Sequence, residues 1–395
     1  MPHPSATVQT PRSGFDSKLP AVGTTIFTVM SQLAASHGAF NLGQGFPDFD
    51  GPLLLRTALQ EAMQQGKNQY APMTGVQPLR EQIATGVQRW YGRLVDADTE
   101  VTITSGATEA IFAAIAAVVR SGDEVVLLDP CYDSYEPAVV LNGGTTIHVP
   151  LQGEHFAIDW ERLAAAFTAR TRLLIVNSPH NPSGAVLSAD DLDRLAALLR
   201  NSRCLLLSDE VYEHIIFDGL EHQSVHRHAE LAERSVVVSS FGKTFHCTGW
   251  KVGYCVAPAW LSKELRKVHQ YLTFSTFTPA QYALAAVMEK LPEHCVLLRD
   301  FYEARRNTLR TLLAASRLRL LPVSGAYFQL ADFGALAPGQ DDVAFCHWLV
   351  REAGVAAIPL SVFYRTPPAA QQLVRLCFAK SDDVLQGAAA RLCAL

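Results

Sequence analysis

Lys243 is the residue of this sequence whose type and position raise the sharpest chemical question. It follows the strand-like run "SVVVSS" at 235–240 and the dipeptide Phe241-Gly242. Three roles are open for such a lysine: it binds a nucleotide phosphate, forms a covalent bond with a ligand, or is an ordinary surface charge. A Walker loop requires glycine at position 237, and this chain has Val237 there, so a nucleotide-binding loop is excluded. A plain surface charge is disfavoured, because an apolar strand directs Lys243 to the ligand-binding edge of a sheet.

Polar residues follow three other predicted strands as well. Ser105 to Thr108 follow "VTIT", Asn181 lies in "NSPHNPSG" after "LLIV", and Asp209 and Tyr212 follow "LLLS". In an open parallel sheet, ligands bind at the carboxyl ends of the strands. The segment 105–108 either caps the helix that begins there or presents free N–H groups to a phosphate, and taken alone it favours the cap.

The combination of these residues suits pyridoxal phosphate. Lysine forms a Schiff base with the aldehyde of this cofactor, and a carboxylate at its pyridine nitrogen keeps that nitrogen protonated, so that the ring accepts electrons. Asn181, Asp209, Tyr212 and Lys243 supply the amide, carboxylate, phenol and amine in chain order. We therefore expect Lys243 to hold the cofactor covalently.

The elements that must position these residues alternate between strands and helices over about residues 95–256. The strands are the apolar runs "EVTIT", "DEVVLLDP", "GTTIHVP", "TRLLIVNSP", "RCLLLSDE" and "SVVVSS", and the helices include "GATEAIFAAIAAVVRSG", "IDWERLAAAFTA" and "SADDLDRLAALLRNS". This pattern predicts an α/β fold with a mostly parallel sheet covered by helices on both faces. The last hundred residues predict a smaller α+β domain, with a long helix in "HCVLLRDFYEARRNTLRTLLAASR" and strands in "GAYFQLADF", "AAIPL" and "VRLCFAK".

Composition limits the range of partners. The chain of 395 residues is long enough for two domains, and its net charge of −5, without a Lys/Arg cluster, argues against nucleic acid. No run of 18 apolar residues predicts a membrane span. The eight cysteines are scattered, without a C-x-x-C pair, which favours buried thiols in a reducing cytoplasm and no metal site.

Seven segments together resemble the fold-type I pyridoxal-phosphate aminotransferases. They are "NLGQGFPDFDGP", "NQYAPMTGVQPLRE", "SPHNPSG", "SDEVYEHI", "SFGKTFHCTGWKVGY", "AIPLSVFY" and "VRLCFAK". Within that family the chain is most similar to the branch of kynurenine, glutamine and bacterial methionine aminotransferases. The resemblance implies a large domain with a seven-stranded sheet at 46–290. It also implies a small domain at 291–395, joined by the segment 18–45, and leaves a flexible arm at 1–17.

The resemblance also implies how the cofactor is held. Asp209 would pair with the pyridine nitrogen, Asn181 and Tyr212 would bind the phenolic oxygen, and Lys243 would carry the cofactor and later move the substrate proton. Residues implied around the phosphate and ring are Ala107, Thr108, Ser240, Lys251, Tyr132 and, from a second subunit of a homodimer, Tyr70. Many relatives have arginine at the position of Lys251, and lysine keeps the charge but loses the two-point fork. Ordinary packing is the alternative for Tyr70 and Tyr132.

For the substrate, the resemblance implies that Arg375 clamps the α-carboxylate and that Gly45 presents backbone to it, although an arginine within a strand also serves as a structural ion-pair partner. Phe27, Phe274 and Tyr364 would line the side-chain pocket.

The implied activity is transfer of the amino group of methionine, or another apolar or aromatic amino acid, to a 2-oxo acid by a ping-pong mechanism. The alternatives are a kynurenine or glutamine aminotransferase with β-lyase activity on cysteine S-conjugates and, remotely, a cofactor-sensing regulator domain. Arg365 remains a candidate partner for an acidic side chain.

Overall fold

The computed structural model describes residues 16–369 and 371–395. Its strands are, in chain order, β1 (Phe40–Asn41), β2 (Val101–Thr104), β3 (Glu124–Asp129), β4 (Thr145–Pro150), β5 (Thr171–Asn177), β6 (Leu205–Asp209), β7 (Ser235–Ser240), β8 (Gly253–Val256), β9 (Arg319–Leu320), β10 (Phe328–Asp332), β11 (Val355–Ala356), β12 (Ile358–Pro359) and β13 (Leu373–Cys377).

The α-helices are α1 (Ile26–His37), α2 (Leu53–Gln64), α3 (Gln77–Tyr91), α4 (Gly106–Val118), α5 (Tyr135–Leu141), α6 (Trp160–Ala165), α7 (Ala189–Leu199), α8 (Ala229–Ala232), α9 (Phe241–Thr244), α10 (Ala259–Leu272), α11 (Thr278–Lys290), α12 (His294–Leu312), α13 (Asp342–Trp348) and α14 (Asp382–Cys393). Short 3-10 turns occupy Val225–Arg227, Thr248–Trp250 and Leu360–Phe363, and a π-helical turn continues α13 over Leu349–Ala353. None of the helices in the described ranges combines the length and apolar character needed to cross a bilayer.

The large sheet has seven strands in the order β2-β8-β7-β6-β5-β3-β4. Only β8 runs antiparallel to its neighbours β2 and β7 within this sheet, whereas the pairs from β7 to β4 are parallel. Every residue of β2, β3 and β6 is buried, as expected for strands with helices on both faces. The predicted α/β fold with a seven-stranded, mostly parallel sheet is confirmed.

The predicted strands and helices of the sheet region are found at their expected places. The strand β8 was missed, because four residues that begin with Gly253 carry little pattern of their own and are fixed by pairing with two distant strands. The helix predicted in "IDWERLAAAFTA" is shorter than that string, since α6 covers only Trp160–Ala165. The helix α7 begins at a capping box in which Ser188 and Asp191 satisfy each other's backbone N–H groups.

The C-terminal region forms a second core together with the N-terminal segment. Its four-stranded sheet has the order β12-β13-β10-β9, and β1 pairs in parallel with β11. Met30 and Leu42 are buried in the same cluster as Leu330 and Leu376. The division of the chain at residues 45 and 290 stays a prediction, and residues 1–15 of the predicted arm lie outside the described residues.

Candidate active site

A cavity of about 400 Å³ opens at the carboxyl edge of the large sheet, against the second core. Most of the sequence-predicted site residues line it together: Phe27, Gly45, Ala107, Thr108, Tyr132, Asn181, Asp209, Tyr212, Ser240, Lys243, Lys251 and Arg375. The residues from the large sheet end or follow β2, β3, β5, β6 and β7, and Lys251 precedes the antiparallel strand β8, so all of them lie at this edge.

Lys243 lies in the single turn of α9, which begins directly after β7. Its Nζ donates hydrogen bonds to the Tyr327 hydroxyl at 2.9 Å and to the Gly45 carbonyl oxygen at 3.1 Å. Burial, together with the positive charges of Arg375 and Lys251, lowers the pKa of this amine from 10.5 to about 8, against the raising effect of Asp209. A substantial fraction of Lys243 is therefore neutral near physiological pH and able to act as a nucleophile or base.

Asp209 ends β6 and is almost fully buried. The Tyr135 hydroxyl donates a 2.6 Å hydrogen bond to its Oδ2 atom, and the Val211 N–H lies 3.4 Å from Oδ1. Burial raises the pKa of the Asp209 carboxyl to about 6, although Tyr135 and Lys243 act in the opposite direction. A cationic partner in the cavity, such as a protonated ring nitrogen, would stabilise the ionised form of this carboxylate.

Arg375 is 1% exposed, and its guanidinium lies 4.0 Å from the ring centroid of Phe328. Nη1 donates to Asn181 Oδ1 at 2.7 Å and Nη2 donates to the Gly43 carbonyl at 2.9 Å. Among the described residues, none pairs with its buried Nε atom, and no carboxylate forms an ion pair with it. The alternative of a structural ion pair therefore has no partner in the described chain, whereas a bound carboxylate would find a charged donor here.

The start of α4 forms a cradle for an anion. Gly106 has a φ of +74°, and a Cβ added to it would lie 3.3 Å from Nζ of Lys251. A Cβ at Gly253 would lie only 2.8 Å from the backbone nitrogen of Ala107, so β8 packs directly against this helix start. The same end of the cavity thus combines free N–H groups, the positive end of the helix dipole and the ammonium of Lys251. A bound phosphate requires such hydrogen-bond donors and positive charge.

Three predicted site residues are not among those that line the cavity. Tyr70 is 82% exposed, and its ring packs against Phe274 with the centroids 5.2 Å apart. Tyr364 is half-buried against the second core, and burial raises the pKa of its hydroxyl to about 12. Arg365 also lies apart from the cavity lining and pairs with Glu136 at 3.0 Å. The roles predicted for Tyr70, Phe274 and Tyr364 stay predictions.

The structure adds functional residues that the sequence reasoning missed. Tyr135, Tyr327 and Phe328 contact Asp209, Lys243 and Arg375 respectively, and Asp133 and Asn177 line the cavity. A sequence signal existed for two of them, because Asp133 and Tyr135 follow Tyr132 after β3, another strand that ends at this edge. Tyr327 and Phe328 gave no such signal, since they lie in the predicted strand "GAYFQLADF" of the other core.

Comparison with known proteins identifies the family of the chain. Residues 38–392 match the model of aminotransferase class I and II. The chain belongs to the class I and II aminotransferases. It is therefore a transaminase of a family that depends on pyridoxal phosphate.

Individual relatives of this aminotransferase match over nearly their whole length. A methionine aminotransferase of Escherichia coli strain K12 is 56% identical over 95% of this chain and 97% of its own. A probable N-succinyldiaminopimelate aminotransferase of Mycobacterium tuberculosis is 43% identical over 96% and 98%, and a kynurenine–oxoglutarate transaminase of Dictyostelium discoideum is 35% identical over 93% and 93%. A solved E. coli structure with a methionine aminotransferase function superposes with a TM-score of 0.94, at 56% identity, over 96% of this chain and 99% of that one.

The donor set of the cavity fits the cofactor of this family. The cradle at Gly106 to Thr108 with Lys251 suits the phosphate, and the carboxylate of Asp209 suits a protonated ring nitrogen. Because Asn181 Oδ1 accepts a hydrogen bond from Arg375, its amide nitrogen is left as a donor for an oxygen atom in the cavity. The amine of Lys243 completes the set as the group that reacts with an aldehyde.

Proposed function

We propose that this aminotransferase moves the α-amino group of methionine, and of other apolar or aromatic amino acids, to a 2-oxo acid, with pyridoxal phosphate attached to Lys243. The observation that carries this proposal is the convergence of Lys243, Asp209 and Arg375 on one cavity. The choice of methionine is supported by the 56% identity to an E. coli enzyme of that name.

In the first half-reaction Arg375 binds the α-carboxylate, and its packing on Phe328 holds the guanidinium plane fixed. Once the substrate amine has taken the place of Lys243 on the cofactor, the freed neutral amine of Lys243 would remove the proton from Cα. The bound cofactor supplies an electron sink for the electron pair that remains. Asp209 would hold the ring nitrogen in its protonated form and so stabilise the negative charge that develops on the cofactor. Because Lys243 must be neutral, we expect proton removal to become faster as pH rises through about 8 and to level off above it.

The second half-reaction uses the same groups in reverse. A 2-oxo acid binds to Arg375 through its carboxylate and takes up the amino group, and Lys243 returns a proton to Cα. Donor and acceptor therefore occupy one site in turn, which is the structural requirement of a ping-pong mechanism.

The cavity lining favours a neutral side chain on the substrate. Phe27 and Phe328 contribute apolar surface, and Asp133 places a carboxylate in the same lining. A substrate with an acidic side chain would be repelled by Asp133, and Arg365 lies apart from the cavity lining. An unbranched thioether suits apolar walls, because methionine adapts its shape to such surfaces.

We further propose that the enzyme is a cytoplasmic homodimer with shared active sites. Tyr70 packs against Phe274 and lines a surface depression together with Phe277, and Tyr70 and Phe277 are 82% and 52% exposed, so the three rings form an exposed aromatic patch. Exposed aromatic rings that lie together on a surface are typical of protein interfaces. A second copy would cover this patch and bring the Tyr70 hydroxyl to the phosphate cradle of its neighbour. The cytoplasmic location rests on the eight unpaired cysteines.

Shared sites are tested by mixing two variants. In hybrids of Tyr70→Ala and Lys243→Ala subunits, one site carries both substitutions and the other neither, if Tyr70 acts across the interface. We expect purified hybrids to regain up to about half of the wild-type activity per dimer. If Tyr70 acts within its own subunit, both sites of the hybrid stay damaged and no activity returns.

Substrate preference is tested by single half-reactions. The enzyme loaded with pyridoxal phosphate is mixed with methionine, phenylalanine, glutamine, kynurenine or aspartate without any acceptor, and the loss of the visible cofactor band is followed. We expect methionine to discharge the band fastest and aspartate slowest. Lys243→Ala should bind the cofactor non-covalently and discharge it at least ~10³-fold more slowly. Wild-type rates in that variant would refute the role of Lys243.

Kynurenine or glutamine remains the alternative donor, supported by the 35% identity to a kynurenine–oxoglutarate transaminase. Faster discharge by either of these amino acids would replace methionine in the proposal. The associated β-lyase activity on a cysteine S-conjugate would release pyruvate and ammonia without a 2-oxo acid. In every case Arg375→Ala should impair amino-acid and oxo-acid substrates alike, and impairment of one class only would refute the shared clamp.

A further inference from the structure

The Tyr327 hydroxyl is the closest side-chain partner of the Lys243 amine. Nζ of Lys243 donates to Oη of Tyr327 at 2.9 Å and to the carbonyl oxygen of Gly45 at 3.1 Å. The Tyr327 hydroxyl itself donates to the same Gly45 carbonyl at 2.6 Å. Three polar groups from distant parts of the chain therefore form a closed triangle around the amine.

The heavy-atom distances favour one assignment of the protons in this triangle. A tyrosine hydroxyl has a single proton, and here that proton is donated to Gly45, so Tyr327 can only accept from Lys243. A carbonyl oxygen has two lone pairs, so Gly45 can accept from both side chains. A neutral amine has two N–H groups and one lone pair. Both N–H groups of Lys243 are thus engaged, and its lone pair is the one feature left free.

We propose that Tyr327 is a positioning residue for the proton-transfer step: together with the Gly45 carbonyl it holds both N–H groups of neutral Lys243 and so directs the lone pair into the cavity, toward the Cα proton of the substrate. This inference rests on the proposed function, in which Lys243 is the base. Lys243 and Gly45 line the cavity, whereas Tyr327 is fully buried behind its wall. The N–H groups consequently face the wall and the lone pair faces the substrate.

The position of the Tyr327 hydroxyl is fixed by the packing of its ring. The ring is enclosed by Tyr212, Phe328 and Tyr302, with centroid distances of 5.0, 4.9 and 5.6 Å. Tyr327 directly precedes β10, which pairs with β13, the strand that carries Arg375. One rigid element therefore sets both the direction of the base and the position of the carboxylate clamp, and such fixed geometry is what a fast proton transfer requires.

The triangle satisfies both N–H groups of the neutral amine but leaves the charged amine one acceptor short. A charged lysine has three N–H groups, and the described residues provide hydrogen-bond acceptors for only two of them. The lowering of the pKa of Lys243 by burial acts in the same direction. Removal of Tyr327 Oη would take away one of the two acceptors of the charged form, which should lower the pKa further.

The test compares Tyr327→Phe with Tyr302→Phe. The hydroxyl of Tyr302 is buried in the same aromatic cluster and has no hydrogen-bond partner among the described residues, so its removal matches the change in volume and hydrophobicity. The half-reaction of the loaded enzyme is followed with methionine and with α-deuterated methionine. For Tyr327→Phe we expect the rate constant to fall about tenfold or more, the KM to stay within about twofold, and the deuterium isotope effect to increase. Tyr302→Phe should behave like wild type in all three.

A second measurement does not depend on turnover. In the cofactor-free protein, cyanate carbamylates neutral amines, and peptide mass spectrometry gives the rate at Lys243 as a function of pH. The midpoint should move to lower pH in Tyr327→Phe and stay unchanged in Tyr302→Phe. An unchanged midpoint together with an unchanged isotope effect in Tyr327→Phe would overturn the inference.

Two outcomes separate this inference from the proposed function. An active Lys243→Ala would refute the proposed function itself, whereas an inactive Lys243→Ala beside a fully active Tyr327→Phe would refute only the role of Tyr327. If Tyr327→Phe does not fold, 3,5-difluorotyrosine at position 327 keeps the ring and hydroxyl and weakens the acceptor. We expect a smaller fall in rate and a smaller shift of the midpoint, and wild-type behaviour of that protein would overturn the inference.

Discussion

Asp209 and Glu213 lie on one short segment, and both carboxyls are buried, at 3% and 7% exposure, yet their environments differ. Asp209 faces the cavity and accepts one close hydrogen bond from a side chain, that of Tyr135. Glu213 does not line the cavity, and its position is called the far side of the segment. It accepts hydrogen bonds from the hydroxyls of Tyr91, Ser239 and Tyr254. The same carboxyl chemistry is therefore placed in two different electrostatic settings.

The pKa values of the two groups move in opposite directions. Burial raises the pKa of the Asp209 carboxyl to about 6, because its few donors do not replace the lost water. Burial acts on Glu213 in the same sense, but nearby His214 and the hydroxyl donors of Ser239 and Tyr91 outweigh it, and the pKa of Glu213 is lowered.

The comparison teaches that burial alone does not decide the charge of an acid. Glu213 is fully partnered by the protein and stabilises the fold, whereas Asp209 has no ion-pair partner among the described residues and is suited to a ligand that brings a positive charge. Binding sites are commonly the places where a buried polar group depends on a ligand for its partner.

The largest expected effect is on catalysis, from Asp209→Asn. Since the neutral amide cannot hold a positive charge on the ring nitrogen, the half-reaction with methionine should slow by about 10²- to 10³-fold. Glu213→Gln, its matched control on the far side, should slow the folded enzyme by less than about threefold. Comparable losses in both variants would mean that the two carboxylates do not have separate roles. Stopped-flow rates, corrected for the folded fraction, decide this.

The second-largest expected effect is on the free energy of unfolding. Its pH dependence has opposite signs in Asp209→Asn and Glu213→Gln. The folded pKa of Asp209 lies above the unfolded value of 3.8, so the stability gained from its protonation is present below that value and lost as pH rises through about 6. Cofactor-free Asp209→Asn should therefore be more stable than wild type at pH 8, by up to about 3 kcal/mol, and the gain should vanish near pH 4. Urea denaturation at both pH values measures it.

Glu213→Gln should behave in the opposite way. The lowered pKa of Glu213 contributes stability above its unfolded value, and that contribution is lost as pH falls through the folded pKa. We expect the variant to be about 2–4 kcal/mol less stable than wild type at pH 8, with a smaller deficit in acid. Parallel pH trends for the two variants in the same urea series would contradict the difference in environment between Asp209 and Glu213.

The smallest expected effect follows from removal of one donor on the far side. Tyr254→Phe takes away a 2.9 Å hydrogen bond to Glu213, and it should cost about 1 kcal/mol of unfolding free energy with the half-reaction rate unchanged.

Tyr135→Phe removes the corresponding donor of Asp209. It should weaken binding of pyridoxal phosphate most strongly at acid pH, because the pKa of Asp209 then rises further. Equal effects of both variants on cofactor affinity would refute the division between the two sides.

The residues that could be predicted are those whose position follows from local pattern. Asn181, Asp209 and Lys243 follow β5, β6 and β7, which are adjacent and parallel, so their proximity is a consequence of the alternating strands and helices. Arg375 was found by resemblance to family motifs, and nothing in its local pattern indicates that it meets Asn181, which is 194 positions away in sequence.

The residues that could not be predicted depend on how the two cores meet. The contacts of Lys243 with Gly45 and Tyr327 join positions separated by 198 and 84 residues. Phe328 and Tyr327 carry the pattern of a buried strand, which does not distinguish a core residue from one that supports a site. Tyr70 and Phe274 lie on the surface of the single chain, and the role predicted for Tyr70 requires a second copy.

The sequence by itself determined the α/β class and the amine, carboxylate and amide that are brought to one edge of the sheet. Hydrophobic periodicity and turn residues suffice for this, because they act over neighbouring positions. Only the tertiary structure decided the charge and the hydrogen-bond partners of those groups: whether an acid has one side-chain hydrogen-bond donor or three, and which distant groups the lysine amine contacts. These properties depend on burial and on hydrogen bonds between distant segments, and they arise when the second core packs against the carboxyl edge of the sheet.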